Sequence, residues 1–249
     1  MIKQIEMMMK IVVALTLFLN FFICDNCLFA QETPYNLIKF GIMGYGAITD
    51  TSHINSMAND WIYKVVEESN AEVSSEPKLL PFNIEYGFQP FILIRPIKFL
   101  QIGVKMDFAY SKLVSKFQNP LFRQNYELNI NMKSYIPGVF SYLTLGKFEL
   151  GGGVIRSFTN VKINDGFFGY KDTWYGKNTG YELSLGRSTS LERHVGFTIS
   201  VKYRSLFINE IKDTLNRIVV YSGTRENLSL DMSGFMIDMG LYFQFIKIK

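Results

Sequence analysis

The chain has 249 residues, of which 48% are hydrophobic, 15% aromatic and only 19% charged, and its net charge is +4. This aromatic and aliphatic content excludes a disordered chain, and two cysteines are too few for a disulfide-stapled mini-protein. A single apolar run approaches the roughly 18 residues of a membrane-spanning helix. It lies at the extreme N-terminus, which argues against a helical membrane bundle.

The first thirty residues have the order of a secretory signal peptide. Lys3 and Lys10 precede the apolar stretch 11–23, and a short region of polar and small residues ends at Ala30. We expect cleavage after Ala30. Residues 1–30 are then the signal peptide, and residues 31–249 form one exported domain.

Both cysteines, Cys24 and Cys27, fall within the predicted signal peptide. A lipoprotein signal places a small residue directly before the acylated cysteine, whereas Ile23 and Asn26 occupy those positions here. Simple cleavage is therefore favoured over lipidation, and the mature chain would contain no disulfide and no thiolate metal ligand.

From residue 36 onward, apolar and polar residues alternate with a period of two, which is the period of a β-strand. The clearest apolar face consists of Leu100, Ile102, Val104, Met106, Phe108 and Tyr110. Eight candidate strands follow in chain order, at about 37–48, 79–95, 99–114, 125–144, 147–160, 174–188, 194–209 and 226–245. They are long enough for the tilted span of roughly 9 to 11 residues that a membrane barrel requires.

Short and long connections alternate between these strands. The short ones lie at about 95–98, 145–146 and 188–193, and the long ones at about 49–78, 115–124, 161–173 and 210–225. Short turns then gather at one end and long loops at the other, as in bacterial outer-membrane barrels. The predicted fold class is all-β, an eight-stranded antiparallel up-and-down transmembrane β-barrel, monomeric and located in the outer membrane.

The polar face of the predicted strands carries five basic and five acidic residues: Lys39, Glu85, Lys105, Asp107, Lys133, Glu149, Glu182, Lys202, Arg204 and Asp238. We expect an ion-pair network in a narrow lumen, because unpaired buried charges are costly. The alternatives are an ordinary solvated face and a secreted lipocalin-like barrel that turns its apolar face inward around a ligand. The first strand has no tryptophan, which a lipocalin would carry there.

The last predicted strand ends with a pattern that resembles the β-signal recognised by the barrel-insertion machinery. Its characteristic residues are Asp238, Gly240, Phe243 and Phe245, and the chain then departs from the pattern by continuing with residues 246–249. The resemblance implies that the insertion machinery is a partner of the chain.

The middle of the chain resembles the PorT-like outer-membrane β-barrel family. The resemblance rests on Tyr135-Ile136-Pro137, Tyr142, the run Lys147 to Gly153, and the glycine-rich opening Phe40 to Gly46. In that family, a proline-containing strand turns into a strand that ends in glycines. The resemblance implies a small eight-stranded barrel, and its motifs are not catalytic.

Two irregularities are expected within the strands. Proline removes a donor from the strand ladder, so we expect a bulge at Pro137. In the last strand the apolar parity changes between Met232 and Phe235. This change predicts either a bulge near 233–234 or a strand that leaves the membrane there.

The first long loop has a helical pattern. Ser56 is suited to cap a short helix in which Met57, Trp61 and Val65 recur every four residues. A cap folded over the barrel mouth is favoured over a surface element that binds a partner or lipid.

Catalytic signals are weak. His53 with Ser52 or Ser56 is the only candidate nucleophile and base set, and His194 lies at a short turn. No phosphate loop, histidine cluster or calcium loop is present in the sequence. We therefore predict no catalytic, cofactor or metal site, and no nucleic-acid binding, since the basic residues are spread along the sequence.

The expected function is that of a non-enzymatic outer-membrane barrel that presents extracellular loops for envelope integrity or for surface binding and adhesion. Its expected partners are outer-membrane lipid, the insertion machinery and an extracellular molecule held by the long loops. The alternatives are an outer-membrane lipid-modifying enzyme, a small-solute conduit and a secreted lipocalin-like ligand-binding barrel.

Overall fold

A computed structural model describes most of the predicted mature domain. The described residues are 36–50, 56–57, 60–61, 63–64, 67, 82–118, 125–192, 194–220 and 227–246. The predicted signal peptide, with Cys24 and Cys27, lies outside them. Cleavage after Ala30 therefore stays a prediction.

Eight long antiparallel strands form a closed ring. They are β1 (Asn36–Asp50), β2 (Phe82–Ile97), β3 (Leu100–Gln118), β4 (Asn125–Leu145), β5 (Phe148–Asp165), β6 (Lys171–Ser190), β7 (Val195–Ser205) and β8 (Gly234–Ile246). Each strand pairs with the next, and β8 pairs with β1 to close the barrel. The predicted fold class is confirmed, although the last strand begins at Gly234 instead of near residue 226.

The short turns all lie at one end of the barrel. Residues 98–99 and 146–147 make two of them, and Gly146 adopts a positive φ of 64°, which glycine tolerates without steric cost. The long connections, between β1 and β2 and between β7 and β8, lie at the other end. The predicted long connections at 115–124 and 161–173 are wrong in length, because β3 extends to Gln118, β5 to Asp165 and β6 begins at Lys171, which leaves only residues 119–124 and 166–170 between the strands. We call the two ends the short-turn end and the long-loop end.

The outer surface of the barrel is an apolar belt. Its side chains stand away from the lumen and are 53–61% exposed at Ile92, Val104, Val139, Val154, Leu183 and Met239. Charged residues such as Lys105 and Glu182 are 4% and 0% exposed in the interior. A lipocalin-like barrel has the opposite arrangement, so that alternative is wrong.

The four strands β3 to β6 are longer than the others. They have 19, 21, 18 and 20 residues, whereas β1, β2, β7 and β8 have 15, 16, 11 and 13. The apolar belt on β4 ends at Tyr135, and the ten residues before it extend roughly 33 Å further along the strand. We call this projecting part of β3 to β6 the wall.

The connection between β7 and β8 folds back over the barrel mouth. Phe207–Ile208 pairs with Leu230–Asp231, and Ile211–Lys212 pairs with residues 175 and 176 of β6. Met232 and Met236 both face inward on either side of the start of β8, so no bulge is needed there. The apolar residues change from even to odd positions because the chain joins the barrel only at Gly234. Before Gly234 the inward side chains belong to the connection over the mouth.

The predicted bulge at Pro137 is wrong. The β4 and β5 ladder keeps one register from Tyr135 opposite Phe158 to Gly138 opposite Ile155. Pro137 also lies directly opposite Met106 of β3. The missing N–H interrupts the pairing with β5 locally and does not shift it.

Within the described part of the chain, no helix is long and apolar enough to cross a membrane.

The apolar belt predicts a depth-dependent cost for a charge on its surface. Val139→Arg, at the centre of the belt on β4, should lower the free energy of unfolding by about 2–4 kcal/mol, and Leu145→Arg, at the short-turn end, by about 0–1 kcal/mol. The two side chains are 61% and 64% exposed, which makes them a matched pair. Urea titration in lipid vesicles, read by gel mobility with and without boiling, measures both. Equal destabilisation would contradict the position of the belt.

Candidate functional site: the filled lumen and the capped mouth

The lumen near the short-turn end contains an ion pair with a polar shell. Lys39 Nζ lies 3.0 Å from Glu149 Oε1 and donates to Ser188 Oγ at 2.7 Å. Gln101 Nε2 donates to the same carboxylate oxygen at 2.9 Å. The buried carboxylate of Glu149 is therefore paired with a cation and also hydrogen-bonded.

The middle of the lumen is organised around Glu182. Lys105 Nζ and Lys202 Nζ lie 3.1 and 3.6 Å from Glu182 Oε1. Lys202 also pairs with Asp238 and donates to Gln89 Oε1 at 2.5 Å. Two cations and two carboxylates thus share one buried cluster.

Asp107 joins this cluster through an amide, since Gln89 Nε2 donates to its carboxylate. The ammonium of Lys105 lies 3.9 Å from the ring centroid of Phe140, which adds a cation–π contact.

Towards the long-loop end, Arg204 connects the lumen to the mouth. Its Nη2 donates to Glu85 Oε1 at 2.6 Å, and its Nε donates to the carbonyl of Met232 at 3.0 Å. Tyr45 Oη also donates to Glu85 Oε1, at 3.3 Å. The guanidinium therefore fixes both a lumen carboxylate and the connection that covers the barrel.

Nine of the ten predicted lumen charges are buried inside the barrel. Lys133 is the exception, because its side chain is exposed on the outer face. Apolar residues occupy both faces of β4, with Ile136 inside and Val139 outside, so polarity does not identify the inner face of this strand. The assignment of Lys133 to the lumen is wrong.

Sequence reasoning left Arg95 out of the lumen set, because it placed this residue at the boundary between the second predicted strand and the turn that follows. Arg95 lies on β2, and its Nη2 donates to Thr144 Oγ1 at 3.2 Å beside Gln101. Arg95 is separated from the inward residues Glu85 and Gln89 by an even number of positions. This alternation was the signal from which its inward direction could have been predicted. With Arg95 in place of Lys133, this set of ten again has five basic and five acidic residues, and Asp165 and Arg187 are buried in addition.

Glycines make room for the aromatic rings of the interior. A Cβ on Gly87 would lie 2.8 Å from the ring of Tyr45, and a Cβ on Gly196 would lie 2.2 Å from the ring of Tyr242. The space between the described residues is correspondingly small. Two cavities lined by these residues have volumes of about 10 and 20 Å³, each the size of one water molecule.

Apolar residues close the long-loop end. Ile130 and Ile163 of the wall are buried against the connection between β7 and β8. Among its described residues, that connection contributes six buried apolar residues: Leu206, Ile208, Ile211, Leu228, Leu230 and Met232. These residues form one cluster, which we call the cap.

Trp61 fastens the first long loop to the wall. Its ring is 8% exposed, and Nε1 donates to Asp165 Oδ2 at 2.5 Å. Asp165 Oδ1 accepts the backbone N–H groups of Phe167 and Phe168, at 2.8 and 3.0 Å. Asp165 therefore holds both Trp61 of the first long loop and the turn after β5. The folding of the whole loop over the mouth stays a prediction, since most of the loop lies outside the described residues.

A second carboxylate orders the outer end of β6. Tyr170 Oη and Trp174 Nε1 donate to Asp172 Oδ2 at 2.5 and 2.8 Å. Although burial opposes ionisation, these hydrogen bonds hold the pKa of the Asp172 carboxyl below its usual value. Partial burial and the bond to Asp172 raise the pKa of Tyr170 to about 12.

The candidate catalytic residues are not brought together by the described structure. Ser52 and His53 lie outside the described residues, and Ser56 is exposed. His194 lies at a short turn, with Nδ1 3.2 Å from the carbonyl of Gln244. No cluster of three metal-ligating residues occurs within the described ranges.

The residues of the predicted assembly signal lie on β8, at the closing seam of the barrel. Asp238 points into the lumen, and Gly240 packs closely against the backbone of β1. Phe243 and Phe245 face outward, and both rings stack on the ring of Phe40. The centroid of the Phe40 ring lies 5.6 Å from that of Phe243 and 6.0 Å from that of Phe245.

The apolar belt, the charged interior and the two kinds of connection are those of a bacterial outer-membrane barrel. The chain is therefore an outer-membrane β-barrel protein.

Comparison with solved structures finds small outer-membrane barrels. Ail of Yersinia pestis, solved with the heparin analogue sucrose octasulfate, is 12% identical, with a TM-score of 0.46 over 84% of this chain and 99% of Ail. Neisserial surface protein A is 10% identical, with a TM-score of 0.45 over 83% and 97%. OprG from Pseudomonas aeruginosa is 13% identical, with a TM-score of 0.46 over 86% and 98%. No protein-family model and no curated protein sequence matches the chain.

The central cluster predicts a large cost for removing its shared carboxylate. Glu182→Gln leaves two buried ammonium groups without this partner, so the free energy of unfolding should fall by about 3–5 kcal/mol. Glu192→Gln, at an exposed turn, should change it by less than about 0.5 kcal/mol. Adding Lys105→Met to Glu182→Gln should restore part of the loss. Urea unfolding in vesicles, followed by tryptophan fluorescence, measures all three, and a neutral Glu182→Gln would refute the cluster.

The bond between Trp61 and Asp165 predicts a variant in which the loop opens. Trp61→Phe keeps an apolar ring but loses the donor to a carboxylate, so trypsin should cleave after exposed Lys64 about tenfold faster. Trp174→Phe also loses an indole donor, yet it lies on β6 and should leave this cleavage rate unchanged. Equal rates for wild type and Trp61→Phe would show that the bond does not hold the loop.

Proposed function

We propose that this chain is a closed, non-enzymatic outer-membrane barrel that presents its wall and cap outside the membrane, for envelope integrity or for binding a molecule at the cell surface. One observation carries the proposal. The lumen is filled by ion pairs and the mouth by apolar residues, while four strands extend well beyond the apolar belt.

A filled lumen opposes transport through the barrel. An eight-stranded barrel is just wide enough to be filled by its own side chains. Lys105, Glu182 and Lys202 bridge strands on opposite sides of the ring, and the larger cavity beside them has a volume of about 20 Å³. The small-solute conduit is therefore the weaker candidate.

Catalysis also has little support. A lipid-modifying enzyme needs a nucleophile, a base and usually a carboxylate placed at the outer rim. The lumen carboxylates Glu85 and Asp107 already accept hydrogen bonds, Glu85 from Arg204 and Asp107 from Gln89. His53 and Ser52 remain the residues that a test of enzymatic activity must address.

We infer membership in the PorT-like family from the β4–β5 hairpin and from β1. Pro137 lies in the outward row of β4, and Gly151, Gly152 and Gly153 lie on β5, across the hairpin from Tyr142 and its neighbours. β1 carries the glycine-rich opening. The expected partners are outer-membrane lipid and the insertion machinery, with Phe243 and Phe245 exposed at the seam for recognition before closure.

The proposed function is tested by complementation of a strain that lacks the protein. The Ser52→Ala/His53→Ala variant should restore resistance to bile-salt detergent or surface binding as well as wild type. A variant in which a two-residue turn replaces the β3–β4 hairpin beyond Leu113 and Ile130 should fold, as shown by gel mobility, and fail to restore it.

Planar-bilayer recording of the purified barrel supplies the second arm of the test. We expect no steady single-channel conductance. Discrete channel openings would favour the conduit, and loss of function in the Ser52→Ala/His53→Ala variant would favour the enzyme.

A further inference from the structure

The outer face of the wall carries a cluster of cations that the lumen network does not use. Four basic side chains point outward near the level where the apolar belt ends: Lys112 on β3, Lys133 on β4 and Lys162 on β5 lie just beyond the belt, and Arg156 on β5 lies within its last rows. We call these four residues the basic patch. None of them forms an ion pair within 4 Å with any residue that the structure describes.

Strand register gathers three of these lysines around one amide. Asn131 lies directly opposite Lys112 of β3 and directly opposite Lys162 of β5, and Lys133 is its neighbour two residues along β4. Directly opposed Cβ atoms are about 5 Å apart, and diagonal neighbours are about 7–8 Å apart. Three flexible ammonium groups can therefore converge on one anion above Asn131.

The amide of Asn131 is oriented to donate a hydrogen bond to an anion. Tyr110 Oη donates to Asn131 Oδ1 at 3.1 Å, so the oxygen is occupied and Nδ2 is left to donate outward. The described acidic residues near this face are Glu127, further along β4, and Glu210, in the connection beside Lys177. Neither lies among the three lysines in the strand register.

The level of the basic patch relative to the apolar belt indicates its ligand. Phe108, Tyr135 and Phe158 lie opposite one another in one register row directly below Lys133, and the Phe108 and Tyr135 rings are in edge contact with centroids 5.6 Å apart. Tyr110 lies in the next outward row, directly opposite Lys133. Aromatic residues mark the interface between hydrocarbon and headgroups. The lysines therefore lie at headgroup depth on the face that meets lipid, not inside the lumen.

Arg156 lies two outward positions below Asn160, within the belt. Its guanidinium carbon is 5.7 Å from the ring centroid of Phe158, and its long side chain can extend towards the headgroups while its stem stays in apolar surroundings. An anion held at the headgroup level would neutralise this cation together with the three lysines.

We propose that the basic patch binds the phosphate groups of a phosphorylated glycolipid in the leaflet at the long-loop end. The ligand is anchored in lipid because the patch continues the lipid-facing surface. The ligand is anionic because no described acidic residue forms an ion pair with the four cations of the patch. The inference goes beyond the proposed function, since a closed barrel presents its wall whether or not lipid binds it.

The experiment compares wild type with Lys112→Gln/Lys133→Gln/Lys162→Gln in detergent micelles. Purified lipopolysaccharide should raise the thermal midpoint of wild type, and the triple variant should bind it at least about tenfold more weakly. Lys98→Gln/Lys147→Gln/Arg217→Gln removes the same charge from exposed positions away from the patch and should bind like wild type. Gel mobility without boiling establishes that each variant is folded.

The chemistry of the ligand is tested with two further probes. Dephosphorylated lipopolysaccharide should give no shift with wild type, and millimolar inorganic phosphate should not displace the intact lipid. Equal binding by wild type and the triple variant would overturn the proposal. An equal shift with the dephosphorylated lipid would do the same, and tighter binding of soluble polyphosphate than of the lipid would assign the patch to a soluble polyanion instead.

Discussion

The closed ring of backbone hydrogen bonds between β1 and β8 is the constraint on which the rest of the molecule depends. Lipid offers no partner for a backbone N–H or C=O group, so a membrane sheet must have no free edge. Closure with eight strands then sets the width of the lumen, which side chains must fill. Each inward residue consequently lies within reach of residues on the opposite strands, and each charge there needs a partner.

The interior satisfies this need in layers along the barrel axis. Lys39 and Glu149 pair near the short-turn end, Glu182 joins two lysines in the middle, and Arg204 binds Glu85 near the mouth. Arg204 also holds the carbonyl of Met232, which lies in the connection that forms the cap. The polar network that fills the membrane part and the apolar cluster that closes the mouth are thus mechanically connected.

The unequal length of the strands gives the wall two different faces. Its inner face is apolar at positions such as Ile130 and Ile163, because the cap packs against it. Its outer face is basic around Asn131, where Lys112, Lys133 and Lys162 point outward. Alternation with a period of two lets the same four strands hold the cap on one side and present cations on the other.

The period of two, the spacing of the turns and the alternation of connection lengths determined the eight strands and their order from sequence alone, because these signals are local. The inward direction of nine charges followed from the same alternation. Lys133 was misassigned because β4 is apolar on both faces. Arg95 was missed because it lies at the boundary between the second predicted strand and the following turn. The basic residues also looked dispersed along the chain. Only strand register brings Lys112, Lys133 and Lys162 around Asn131, because register joins positions far apart in sequence and is decided by closure of the whole barrel.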